Sequence, residues 1–268
     1  MSYEPRAMRF ALFALLLVYL FASPWQETPS FPQDMDGRTL AQRVYDRDDG
    51  KDVYAKVEML LIDKHGNERL RTMITATKDF GALSKGCTRF LSPASIEGTG
   101  FLYWENEERD DDQFIYLPAL RRVRRIVATQ KDNRFVNTDY TYEDMQKRKV
   151  DKDDHKILGT ERIGDYDCWV LESAPKDSGD SQYGKCVSWV VKDIYVPVKT
   201  EYYDKKGQLE KVFTAKSLRK IDGIWTIMQS EMRDLKREHK TLMRITGIKY
   251  NSNIPDSVFT TRYLEEGR

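Results

Sequence analysis

The side chains best able to do chemistry are few: three histidines, three cysteines, two Ser-x-x-Lys pairs and one dense arginine cluster. His65 falls in the turn-like stretch Asp63-Lys64-His65-Gly66-Asn67, His155 follows an acidic run, and His239 sits in a charged turn. None neighbours an obvious nucleophile, and no G-x-S-x-G elbow occurs. Ser173…Lys176 and Ser217…Lys220 match a Ser–Lys spacing, but they lie on or beside strand candidates, and so short a pattern arises by chance. Asp151, Asp153, Asp154 and His155 could hold a metal ion, although a solvated loop explains them more simply. Cys87, Cys168 and Cys186 form no C-x-x-C, which argues against redox and zinc chemistry. The expectation is a protein that is not an enzyme and has no catalytic residue, metal site or cofactor. A triad built from distant residues would need a Ser or Cys within hydrogen-bond reach of a histidine.

The cluster Arg121-Arg122-Val123-Arg124-Arg125 points elsewhere. On a strand, Arg122 and Arg124 share one face and Arg121 and Arg125 the other. A half-buried strand does not carry arginine on both faces. A solvated edge or loop does, and arginine there also discourages edge-to-edge pairing. The functional alternative is a patch for anionic lipid headgroups or a membrane partner. Nucleic acid is a poor third, because 44 basic and 43 acidic residues leave a net charge of only +1.

The elements that must position these groups are mainly strands. The chain has 268 residues, 32% charged and 40% hydrophobic, which is globular composition. Aromatics reach 12%, and such side chains suit pleated, half-buried surfaces. One helix candidate spans Gly37 to Asp48, with Leu40 and Val44 on one face. From Val53 the period becomes two: Val53, Ala55, Val57, Met59 and Leu61 point one way, Tyr54, Lys56 and Glu58 the other. Glu68–Lys78 returns after the turn. Later segments repeat the pattern, with Asp204–Gly207 and Asp222-Gly223 as turns. A second short helix is expected at Thr141–Arg148. The sum is an antiparallel meander of about ten to eleven strands. Two short helices cannot fill such a sheet, so a curved sheet around a partly open apolar cavity follows. Cys168 and Cys186 sit in neighbouring strand candidates, several residues out of register, which disfavours a bridge without removing it.

At the N-terminus, Arg6 and Arg9 precede the apolar run Phe10–Ala22. That run is shorter than the about 20 residues of a bilayer span and fits the core of a secretory signal. Leu20 spoils the small-x-small cleavage pattern before Ala22, so residues 1–25 read as a signal peptide or an N-terminal anchor. Residues 26–36 read as a linker and 37–268 as one domain. Export places the domain in the periplasm, tethered to the inner membrane if the segment is not removed.

Several stretches are distinctive: Arg89-Phe90-Leu91-Ser92-Pro93-Ala94; Gly98-Thr99-Gly100-Phe101-Leu102; Ile115 to Ile126; Asp139-Tyr140-Thr141-Tyr142-Glu143-Asp144; and Ile221-Asp222-Gly223-Ile224-Trp225-Thr226. In this order, and closing on Val258-Phe259-Thr260-Thr261-Arg262-Tyr263-Leu264, they resemble the bacterial outer membrane lipoprotein-sorting protein family, in its LolA-like branch associated with export pumps. The resemblance runs from about Leu40 to Leu264. It implies an unclosed antiparallel β-barrel of the LolA/LolB kind, with short helices as a lid over a hydrophobic cavity. It implies a periplasmic chaperone that carries lipid or lipoprotein acyl chains, with an inner-membrane export pump as a further candidate partner.

Candidate cavity residues are Phe101, Tyr103, Tyr140, Tyr142 and Trp189, each of which could equally serve ordinary packing. Arg121, Arg122, Arg124 and Arg125 are the headgroup or partner candidates. The alternative function is an envelope adaptor that docks a partner through a sheet edge and the Arg121–Arg125 cluster.

Overall fold

The computed structural model describes residues 35–267. The expected signal or anchor, and most of the linker after it, lie outside the described residues.

Alternating burial turns nearly every periodic segment into a strand. Helix α1 (Gly37–Tyr45) comes first. The first run of strands is β1 (Asp52–Ile62), β2 (Glu68–Phe80), β3 (Leu83–Ser92), β4 (Gly100–Trp104), β5 (Asp112–Leu117) and β6 (Arg122–Ile126). The second run is β7 (Asp153–Ile163), β8 (Tyr166–Pro175), β9 (Tyr183–Val191), β10 (Pro197–Asp204), β11 (Leu209–Ile221), β12 (Ile224–Asp234) and β13 (His239–Tyr250). Helix α2 (Thr261–Glu266) follows.

All thirteen strands join one sheet in the order β6-β5-β4-β3-β2-β1-β13-β12-β11-β10-β9-β8-β7. The edges β6 and β7 do not pair with each other, so the sheet is unclosed. The architecture is the expected one, with more strands than expected. The arginine-rich segment is itself a strand. It tolerates charge on both faces because it is an edge, where one side of the ladder is free.

The inner face carries the larger core. Ala55, Val57, Met59 and Leu61 of β1 pack with Met73, Phe90, Phe101, Ile115 and Met232 from neighbouring strands. Tyr54 and Lys56 point the other way, into solvent. On the outer face, Ala76, Cys87 and Leu102 are covered by Ile254, Phe259 and Leu264 of the C-terminal segment. Arg89 donates to the Tyr263 and Leu264 carbonyls at 2.9 and 2.7 Å, placing a cation at the carbonyl end of α2. A Cβ on Gly100 would stand 2.6 Å from the Leu264 side chain. Two of the distinctive stretches are thus explained by the docking of α2.

The helix expected at Gly37–Asp48 ends at Tyr45. Asp36 caps it by accepting from the Thr39 amide at 2.6 Å. Gly37 lies against the His155 backbone, where a side chain would collide, and so α1 seats directly on β7. No helix forms at Thr141–Arg148. There the backbone turns back on itself, with the Tyr142 and Glu143 amides donating to the Asn133 and Lys131 carbonyls. No helix among the described residues is long and apolar enough to cross a membrane.

Candidate functional site

The inner face is organised by the segment 127–152, which connects the two sheet edges. A connection between opposite edges of a curved sheet must cross one of its faces, and this one crosses the inner face. Phe135, Tyr140 and Tyr142 enter the inner core from it.

Three carboxylates of the Asp139-Tyr140-Thr141-Tyr142-Glu143-Asp144 stretch pin it. Asp139 accepts from His239 Nδ1 at 2.7 Å, from Thr241 Oγ1 at 2.6 Å and from Arg237 at 3.1 Å. Glu143 accepts from the Ser181 hydroxyl and from the Gln182 amide. Asp144 accepts from Tyr183 Oη at 2.7 Å and from Lys211 Nζ at 3.1 Å. On the other half of the sheet, Arg71 donates to the Val136 carbonyl and Gln113 to the Tyr142 carbonyl. The crossover is therefore bonded to β2, β5, β11 and β13 together.

The partners on the sheet form a row. His155, Ser173, Cys186, Tyr202, Lys211, Asp234 and His239 are successive cross-strand neighbours from β7 to β13. Burial first, and the Asp144 carboxylate second, raise Tyr183, Tyr202 and Cys186 well above their ordinary values. A thiol held protonated is a poor nucleophile. Cys168 packs on the outer face and Cys186 on the inner, and both are free.

His155 meets the geometric condition for a Ser–His pair: Nδ1 lies 2.8 Å from Ser173 Oγ. Its Nε2 faces the Val150 carbonyl at 2.9 Å. A carbonyl only accepts, so Nε2 carries the proton and Nδ1 accepts from Ser173. Neither ring nitrogen is held by a carboxylate, the group that orients and stabilises the imidazolium in a triad. Asp153, two residues before His155, is gripped by Arg148 through both carboxylate oxygens.

The crossover divides the inner face into three spaces. The first, of about 450 Å³, lies between α1, the crossover and β7–β10. Its mouth is a self-satisfied ionic net in which Asp110 bonds Lys131 and Lys152, and Asp180 bonds Lys152 and Arg148. The second, of about 370 Å³, is mixed: Val53, Val57, Tyr103, Trp225, Ile245 and Ile248 give it an apolar wall, and Arg47, Asp49, Lys78, Asp79, Glu105 and Lys147 also line it. The third is a groove of about 710 Å³ beside β6.

The expected site residues fall in different places. Tyr103 lines the second space. Phe101, Tyr140 and Tyr142 are buried in the inner core, and the rings of Tyr103 and Tyr142 both contact Phe101. Trp189 packs on the outer face and donates to Glu161 at 2.6 Å. Arg122 and Arg124 line the β6 groove. Arg125 lines it too, but its guanidinium pairs with Asp112. Arg121 stands outside the groove in a left-handed turn with φ 46°. Lys211 and Ser181 were not anticipated, and His239, expected in a charged turn, instead opens β13 and holds Asp139. The available signal was three acids set among the aromatics of the Asp139–Asp144 stretch.

A family model described as an uncharacterized protein matches residues 83–266. A DUF1329 family protein from Desulfovibrio piger is 33% identical over 85% of this chain and 97% of its own, with a TM-score of 0.81. An outer membrane lipoprotein-sorting protein domain from Vibrio parahaemolyticus is 31% identical over 85% and 98%, with a TM-score of 0.80. A LolA superfamily protein from Nitrosomonas europaea is 20% identical over 85% and 99%, with a TM-score of 0.67, and shares the fold. No curated protein matches.

Proposed function

The chain belongs to the DUF1329 family, and from that premise we propose that it is a periplasmic protein that binds lipid, or the lipid-modified end of a lipoprotein, without chemistry. The observation that carries this is the space between β1, β12 and β13, where Val53, Val57, Ile245 and Ile248 form an apolar wall continuous with the inner core. Transfer of an acyl chain from water into such a space gains about 0.8 kcal/mol per buried CH₂. A carrier therefore needs apolar wall and reversibility, not a nucleophile. The Vibrio relative, described as a lipoprotein-sorting domain, supports the same direction. An inner-membrane export pump is the partner class to seek by co-purification.

The test is native mass spectrometry of protein purified from its own envelope, with displacement of cis-parinaric acid as the solution assay. Bound acyl lipid, lost in Ile248→Arg, is the expected result. Wild-type protein that carries no lipid and does not bind the fluorescent acid would sink the proposal.

A further inference from the structure

We propose that the groove beside β6 is a second, separate site, built for a monomeric amphiphile with a phosphate head. The β5–β6 register sets Ile115 opposite Arg124 and Leu117 opposite Arg122. Directly opposed residues share a face, so both guanidinium groups stand beside an apolar floor. Ile126, Val136 and Tyr142 extend that floor. Arg134 adds a third guanidinium, and Asn133 and Asn137 add amide donors.

Two observations separate this groove from an ordinary charged edge. First, no Asp or Glu lines it among the described residues, although the chain has 43 acidic residues. Secondly, Arg122 and Arg124 have no carboxylate partner among the described residues, whereas Arg125 pairs with Asp112 and Arg134 approaches Asp234 at 3.7 Å. Edge protection requires charge, but not charge gathered over Ile115 and Leu117. Residues two apart on a strand sit roughly 6.5 Å apart along it, so two planar forks can grip one phosphate group from either side. The volume lies within the ordinary range of small-molecule sites, about 300–1,000 Å³.

The groove and the space lined by Ile248 share no residue, and between them the Phe101 ring contacts Tyr103 of one and Tyr142 of the other. The proposal therefore stands apart from acyl binding at Ile248. The experiment is titration calorimetry with dihexanoylphosphatidic acid below its micellar concentration. We expect at least tenfold weaker binding in Arg122→Gln/Arg124→Gln, unchanged binding in Arg121→Gln, and unchanged binding in Ile248→Arg. Circular dichroism checks that each variant is folded. An unchanged affinity in the double variant would overturn the proposal. So would equal binding of dihexanoylphosphatidylcholine, of inorganic phosphate, or of a poly-glutamate peptide, since the head, the chain or the lipid would then not be what is recognised.

Discussion

Asp144 Oδ2 lies 3.1 Å from Lys211 Nζ, with the two side chains 3% and 4% exposed. The pair joins the crossover to the start of β11, and Tyr183 Oη bonds both members. Removing one partner leaves a buried charge uncompensated, which typically costs about 3–5 kcal/mol. Asp144→Ala is therefore expected to lower urea stability by about that amount and to expose the crossover to limited proteolysis. Asp144→Leu/Lys211→Met, which removes both charges, should recover most of the loss. A double variant as unstable as Asp144→Ala would show that the charge pair is not the cause.

Asp111 supplies a pH dependence. Burial, reinforced by the Glu105 and Asp110 carboxylates, pushes its carboxyl from 3.8 up to about 6. A raised folded value means that the contribution to stability is fully present below about 3.8 and is lost as pH rises through about 6. Asp111→Asn should thus raise the melting temperature at pH 7.5 and have no such effect below pH ~4. Thermal scans across that range decide it, and a gain independent of pH would contradict the assignment.

Gly86 of β3 pairs with Tyr103 of β4, and the tyrosine ring lies where a Cβ on residue 86 would be. Gly86→Ala is expected to destabilise by about 1–3 kcal/mol through overpacking. The ring lines the space of about 370 Å³, so the variant should also bind cis-parinaric acid more weakly. Gly86→Ala/Tyr103→Leu should regain stability. Equal unfolding midpoints for wild type and Gly86→Ala would count against this contact.

The cysteines make a simple prediction. Cys186 pairs with Ser173, five positions along β8 from Cys168, so the two sulfurs occupy opposite faces of the sheet. Denatured but unreduced protein should take up three alkyl groups, and reductant should leave the melting temperature unchanged.

Much of the sheet was legible in the sequence, because period two appears directly in residues such as Val53, Ala55 and Val57. Strand count was less so, since β6 breaks the alternation with arginine and only its place at an edge makes that tolerable. The crossover was not legible. Its Thr141–Arg148 part has helix-like composition, and its contacts reach far along the chain: Asp144 to Lys211 spans 67 residues and Asp139 to His239 spans 100. Local pattern holds no trace of such partners. For the same reason the arginine cluster could be suspected of binding, while the absence of acids around it could not be seen until β5 and β6 were paired.

The strand order has a kinetic corollary. Every pairing in the sheet joins strands consecutive in the chain, except β1 with β13. Each half can therefore form by successive hairpin additions with little loop-closure entropy, whereas the seam must bring together segments nearly two hundred residues apart. The rate-limiting event is expected to be closure of that seam. A circular permutant that links β13 to β1 and opens between β6 and β7 would remove the delay. Its thirteen strands would then lie in space in the order in which they are synthesised.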